Sequence, residues 1–308
     1  MTTTVTSEGG TPTAIDQLRS AINRMTTEAE TLAALILALG HRSGDVELPE
    51  AMVKPLETIA DHVTPDLGAI DLGPLRAVAS LGRAMLIQAA GFAAHPTEPS
   101  AWAVTDPVVM QSLGQGSAAL GPAVANLVVP RYDGLAARLG EPDAAILDVG
   151  VGVGALALMF ADLYPTATVV GLDVWEPALA LARENVARHG SAGRIDLRRC
   201  DVAEFDATEA FDLAWFAGPF IPEPNVDRGL RRVRDALRPG GVVVYGAFGG
   251  PTPLAAALAD LRTLRSGGPV LTDDEIAQRL RQAGFDQIET VGTDVGLPAR
   301  FVAGSRTG

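Results

Sequence analysis

Two patterns of hydrophobic spacing divide the chain. From Thr13 to about Leu139, apolar residues recur at helical intervals, which predicts helices over 14–24, 27–40, 49–63, 73–93 and 119–139, most of them ended by Gly or Pro. The stretch AAHPTEPSAWAVTDP (93–107) is rich in Pro and turn formers and reads as a hinge or covering loop. After Glu141-Pro142 short β-rich runs appear at 145–149, 168–173, 194–200, 211–216 and 242–248, with helical stretches at 154–163, 177–188 and 225–237 between them. This alternation implies right-handed crossovers and a parallel sheet covered by helices on both faces. Pro239-Gly240-Gly241 is placed to end a helix before the fifth strand. Helices at 253–264 and 273–283 follow, the second opened by the capping pair Thr272 and Glu275, and two strands at about 287–291 and 300–304 close the chain.

At 308 residues the chain has room for two domains, and 47% hydrophobic residues supply a core without staples. The organisation expected is a disordered tail (1–12), a helical domain (13–139) and an α/β domain (140–308). The tail has neither a basic start nor an apolar core, so it is not a secretory signal. A formal charge of -13 argues against a nucleic-acid partner or an anionic membrane, since no basic run offsets it. The longest apolar runs, such as LAALILALG (32–40), are too short to span a bilayer. Cys200 stands alone, which excludes an internal disulfide and a cysteine zinc site and fits a small buried hydrophobe in a cytoplasmic protein. Histidines and carboxylates do not cluster at ligand spacing, so no metal is expected.

The segment AILDVGVGVGALALMFADLYPTATVVGLDV (145–174) carries the candidate chemistry. Gly150, Gly152 and Ala155 fit the dinucleotide spacing G-x-G-x-x-G/A, and Asp173 lies where a ribose-binding acid is expected. That spacing alone leaves an NAD-dependent oxidoreductase open. The first three strands, however, end in Asp148, Asp173 and Asp201, at the carboxyl edge where open α/β sheets bind ligands. A carboxylate two residues before the first glycine repels a pyrophosphate, whereas a cationic ligand carrying a ribose welcomes all three acids. The competing reading makes these aspartates solvated loop residues and helix caps.

DVGVGVG (148–154), GLD (171–173) and CDV (200–202) together resemble the cofactor motifs of class I S-adenosylmethionine-dependent methyltransferases, over about residues 140–308. The resemblance implies a doubly wound, seven-stranded, mostly parallel Rossmann-like α/β sheet behind an all-helical N-terminal domain, with S-adenosyl-L-methionine as cofactor. It implies that Gly150, Gly152 and Gly154 admit the methionine part of the cofactor and that Asp148 faces its amino group, directly or through water. Asp173 would take both ribose hydroxyls, Val174 and Trp175 would pack on the adenine, Asp201 would accept from its exocyclic amine, and Val202 would offer a backbone N–H. Ala217, at the end of the fourth strand, completes the cofactor set.

FDLAWFAGPFIPEP (211–224) lies where such enzymes present the methyl group to its acceptor. Pro219 and Phe220 keep the proline and ring found in enzymes that methylate nucleobase amines, but the hydrogen-bonding residue before them is missing, which speaks against a DNA or RNA base. The acceptor expected is a small molecule, with Trp102, Pro219 and Phe220 against it. No histidine follows the fourth strand; the candidate bases are Glu223 and His95, while His41, His62 and His189 read as surface or helix-end residues. Arg131 and Tyr132 are ambiguous, and QSLGQGS (111–117) either caps locally or reaches the cofactor's carboxylate. The reaction implied is in-line displacement at the sulfonium methyl by oxygen, nitrogen or carbon. Good orientation can supply roughly 7–11 kcal/mol of such a barrier, so a dedicated base is optional. The helical domain is expected to act as a lid, a substrate wall or a dimer interface, with the apolar run 82–94 serving either an interface or a core, and a homodimer follows from the resemblance. A cofactor-binding protein that has lost transfer is the remaining alternative.

Overall fold

Thr13 opens the first helix by accepting from the Asp16 N–H while the Asp16 carboxylate takes the Thr13 N–H in return. In the computed structural model, which describes residues 13–65, 72–96, 102–291 and 299–307, this helix, α1 (Ala14–Arg42), is continuous where two helices were expected. Thr26 and Thr27 do not break it because their hydroxyls donate one turn back, to Ile22 O at 2.9 Å and Asn23 O at 3.1 Å. The expected tail, 1–12, lies outside the described residues. α2 (Glu50–Val63) and α3 (Leu72–Ala94) follow, and Ala38, Leu39, Leu56, Ala60 and Ala79 form the core they share with α1. Arg42 ties α1 to α2 through Glu57 at 3.3 Å and Asp61 at 3.0 Å. The described residues up to Phe92 form one compact unit and those from Ala93 onward a second.

The second unit begins with a helix that the hydrophobic pattern did not reveal, α4 (Pro107–Ala118). Asp106 caps it by accepting from Val108 N at 2.8 Å, and Pro107 occupies its first turn. The helix expected over 119–139 is instead broken into α5 (Leu120–Ala123), a π turn (Val124–Val128), a 3-10 turn (Val129–Arg131) and α6 (Leu135–Leu139). Pro130 and Gly134, at φ +80°, account for the interruption. These pieces belong by contact to the α/β unit, where Val124, Val128 and Leu139 share a core with Ile146, Phe160 and Leu213.

The α/β elements then run β1 (Ala145–Val149), α7 (Ala155–Leu163), β2 (Thr168–Asp173), α8 (Glu176–Arg188), β3 (Ile195–Arg199), β4 (Phe211–Ala217), α9 (Glu223–Ala236), β5 (Leu237–Phe248), α10 (Pro253–Ser266), α11 (Asp273–Gln282), β6 (Asp286–Val291) and β7 (Ala299–Ser305). The seven-stranded sheet has the order β3-β2-β1-β4-β5-β7-β6. Pairings among β3, β2, β1, β4 and β5 are parallel, and β7 lies antiparallel between β5 and β6. Strand order therefore reverses between β1 and β4, which opens a crevice at their carboxyl ends. β5 starts five residues earlier than expected: Leu237 already pairs with Phe211, and Pro239-Gly240-Gly241 is taken up as an irregularity within the strand, with Gly240 at φ +82°. Among the described residues no helix is long and apolar enough to cross a membrane.

Candidate active site

The cleft opens where β1 gives way to α7. Gly150, Gly152 and Gly154 all have positive φ, at 81°, 55° and 80°. Two consequences follow from the missing side chains: a Cβ on Gly150 would crowd Ala217 at 2.9 Å, while one on Gly152 would meet the Gly150 carbonyl oxygen only at 4.0 Å. Gly154 ends the turn as the cap of α7.

Carboxylates surround this loop at three depths. Asp148 occupies the fourth position of β1 and is buried. Its two neighbours in β1, Leu147 and Val149, belong to the core on one face of the sheet, whereas Ile146, two residues back and on Asp148's own face, belongs to the other. An acid thus stands where an apolar residue would be expected, and neither of its oxygens has a hydrogen-bond partner among the described residues. Burial first, and then the charge of Asp173, push its carboxyl up to about 7; the N–H of Ala157 in α7 pulls weakly the other way without completing a hydrogen bond. Asp173 lies nearer the surface, with Oδ2 accepting from Gly152 N and Oδ1 from Trp175 N, both at 2.8 Å. Burial raises its pKa against these bonds and that of the Val174 N–H. Asp201 caps a short turn by accepting from Ala203 N at 2.9 Å, and its second oxygen accepts from Asn225 Nδ2 at 2.6 Å. The capping reading of Asp201 thus describes part of its role, and each oxygen keeps a free lone pair.

The cleft, about 200 Å³, brings together Gly150, Gly152, Asp173, Val174, Trp175, Asp201 and Val202 from the expected cofactor set. Asp148, Gly154 and Ala217 are not in its lining: Asp148 and Ala217 are buried, and Gly154 is at the cap of α7. On the acceptor side, Trp102 and Phe220 line the cleft and meet edge to face at 5.1 Å, with Phe220 edge to face against Phe248 at 5.8 Å. Pro219 is buried and faces a smaller crevice beside Tyr245. α4 adds Met110, Leu113, Gly114 and Ser117 to the wall; the last three fall in the stretch 111–117 singled out in the sequence, and Met110 does not. The Asp106-Pro107 cap and first-turn pair was the available signal for that helix.

Neither candidate base reaches the lining. Glu223 is the first residue of α9, and its carboxylate is bound by Arg279, which also holds Asp227 at 3.0 Å. His95 is exposed. The described cleft does not bring these two to the acceptor side, and an ion pair claims the Glu223 carboxylate. Gln111 bonds Asn185 instead of reaching outward, whereas Ser112 and Ser117 cap locally, donating to Val108 O and Gly114 O. Arg131 pairs with Glu289, and the Tyr132 hydroxyl donates to Gln287 O. Cys200 lines the cleft, but burial and the neighbouring Asp201 raise its thiol pKa, which disfavours the nucleophilic thiolate.

Residues 146–241 match the family model described as a methyltransferase domain. The chain is 32% identical to the malonyl-[acyl-carrier protein] O-methyltransferase of Geobacter sulfurreducens, over 56% of this chain and 67% of that relative. It belongs to the class I S-adenosylmethionine-dependent methyltransferases. The same bacterium's release factor glutamine methyltransferase is 34% identical over 36% of this methyltransferase and 40% of its own length. The chain thus spans two thirds of the first relative and two fifths of the second. Among solved structures, human N-acetylserotonin methyltransferase in complex with S-adenosylmethionine superposes with a TM-score of 0.65 at 17% identity, covering 97% of this chain and 100% of that one, and so shares the fold. Family membership leaves the NAD-dependent oxidoreductase reading without support. The methyltransferase's cofactor is S-adenosylmethionine, and two features of the site suit it: a buried carboxylate lacking a hydrogen-bond partner among the described residues, and a turn of three glycines at positive φ.

Proposed function

We propose that this methyltransferase transfers a methyl group from S-adenosylmethionine to an oxygen of a small, planar, apolar acceptor. The observation that carries this reading is a cleft lined by two unlike groups: the carboxylates Asp173 and Asp201, and Trp102 set edge to face against Phe220. Asp173 takes the ribose hydroxyls, Val174 and Trp175 flank the adenine, and Asp201 with the Val202 N–H receives its polar edge. Gly150, Gly152 and Gly154 admit the methionine part, Ala217 backs Gly150, and Asp148 acts from beneath as a counter-charge. When bound, the cofactor supplies an electrophilic sulfonium methyl. The chain's own share is to orient the acceptor between Trp102 and Phe220, with Pro219 behind them, and to keep water out, so the reaction runs on alignment, with neither Glu223 nor His95 as base.

An oxygen acceptor is supported by the Geobacter O-methyltransferase and a small one by the name of the human enzyme. A net charge of -13 and the apolar acceptor wall disfavour nucleic acid. We further propose a cytoplasmic homodimer. On α1 the residues Ile15, Leu18, Ile22 and Met25 are each more than half exposed, at 57%, 55%, 54% and 58%. They alternate at spacings of three and four, and Ala29 and Leu32 continue the row as a heptad seam fit for a second copy. The test of the activity is mass spectrometry of a panel of phenols, acids, amines and heterocycles incubated with enzyme and labelled cofactor. Label on a phenol or acid oxygen supports the proposal; label only on amines, or on none of the panel while the cofactor binds, overturns it.

A further inference from the structure

Ala178, Ala182 and Asn185 follow one another at helical spacing along α8, and the two alanines are buried. Ala182 lets the glycine loop come close, since a Cβ on Gly154 would lie 3.4 Å from that of Ala182. One turn further on, Asn185 uses its full hydrogen-bonding capacity of two donors and two acceptor sites. Nδ2 donates to the Val153 carbonyl at 2.8 Å and to Gln111 Oε1 at 3.0 Å, while Oδ1 accepts from Gln111 Nε2 at 3.1 Å and from an Arg188 guanidinium nitrogen at 3.0 Å. Gln111 belongs to α4, 74 residues away in the chain.

The Val153 carbonyl is part of the peptide whose N–H belongs to Gly154, the residue at φ +80° that turns the loop into α7. Rotation of that peptide would break the bond from Asn185 and leave a polar group without its partner, a cost comparable to a lost hydrogen bond. α4 bears on the same point: a Cβ on Gly114 would overlap Val153 at 2.2 Å, so only glycine lets the helix lie this close. The segment leading into α4 has a further fastening, Trp175 Nε1 donating to Val104 O at 2.8 Å. Satisfied polar networks of this kind rigidify what they join.

We propose that Asn185 and Gln111 are positioning residues of the cofactor pocket: their reciprocal amide pair, reaching from α4 across α8 to the Val153 carbonyl, holds the glycine loop in its turned form before the cofactor arrives. The proposal rests on the cofactor reading above. A loop ordered in advance spares the ligand the entropy of ordering it, so the pair acts on affinity.

The test compares the full chain with Asn185→Leu, which is close in size and lacks all four bonds. Calorimetric titration with S-adenosylhomocysteine is read together with amide hydrogen exchange over 150–155 in the free protein. Asn185→Leu is expected to bind at least tenfold more weakly and to exchange faster in the loop. Wild-type affinity and loop exchange in Asn185→Leu, whatever its Tm, would overturn the proposal. If that variant fails to fold, Gln111→Leu takes its place, with at least threefold weaker binding and faster loop exchange expected and unchanged values counting against the proposal. A wild-type chain that gives no heat would sink the cofactor reading instead, and the exchange comparison would then decide the loop-holding claim.

Discussion

Replacing Asp148 by asparagine separates the charge of the buried acid from its shape. Burial and the neighbouring Asp173 raise the Asp148 pKa from 3.8 to about 7, so the folded protein holds this carboxyl neutral where the unfolded chain has already ionised it. Between the two pKa values the folded state binds one more proton than the unfolded state, and stability falls as pH rises, at about 1.4 kcal/mol per pH unit until the folded pKa is reached. From pH 5 to pH 8 the accumulated loss is roughly 2 to 3 kcal/mol. The amide of the variant does not titrate, so the stability of Asp148→Asn relative to wild type should rise by that amount over the same interval. The comparison is insensitive to any constant penalty from the amide's own unpaired atoms, because that penalty is the same at both pH values. Urea denaturation of both proteins at pH 5 and pH 8, without ligand, reads the difference. A gap between variant and wild type that stays constant to within about 0.5 kcal/mol would refute the reasoning, since Asp148 would then have an ordinary pKa. With saturating S-adenosylmethionine the wild-type slope should shrink, because a cation nearby favours the ionised carboxylate.

Three further outcomes are expected. Asp212 is buried under Arg138 Nε at 2.9 Å, Arg238 Nη1 at 2.6 Å and the Ala145 N–H at 2.8 Å. Asp212→Ala should cost about 3 kcal/mol in denaturant titration, the low end for a broken buried pair because both arginines can turn to water. Glu223→Gln should leave kcat within twofold and its pH profile unmoved, and a loss of a hundredfold or more would return Glu223 to the role of base. Trp102→Ala should raise the KM for the acceptor severalfold while the cofactor Kd stays put, and equal losses in both would place Trp102 on the cofactor side.

The part of the site legible in sequence is the part written in short range. AILDV and TVVGLD are compact apolar runs that each carry one acid at or next to the carboxyl end, because central parallel strands are covered on both faces and meet ligands at that end. β1 and β2 were therefore legible from spacing with their bounds, although the depth of Asp148 beneath the loop was not. α4 escaped notice because Gly114 and Gly116 weaken its helical pattern, and the reason for Gly114 is a contact with Val153 that no local signal carries. The bond between Glu223 and Arg279 spans 56 residues and the Gln111–Asn185 pair 74, so each joins elements that only the folded sheet brings together.

Calorimetric titration of the ligand-free chain at pH 8 with S-adenosylmethionine and, separately, with NAD bears most directly on a cleft built around aspartates for a cationic nucleoside. Saturable heat with the sulfonium ligand, weakened at least tenfold by Asp173→Asn, and no heat with the dinucleotide is the result expected. Saturable binding of NAD with none of S-adenosylmethionine would contradict it.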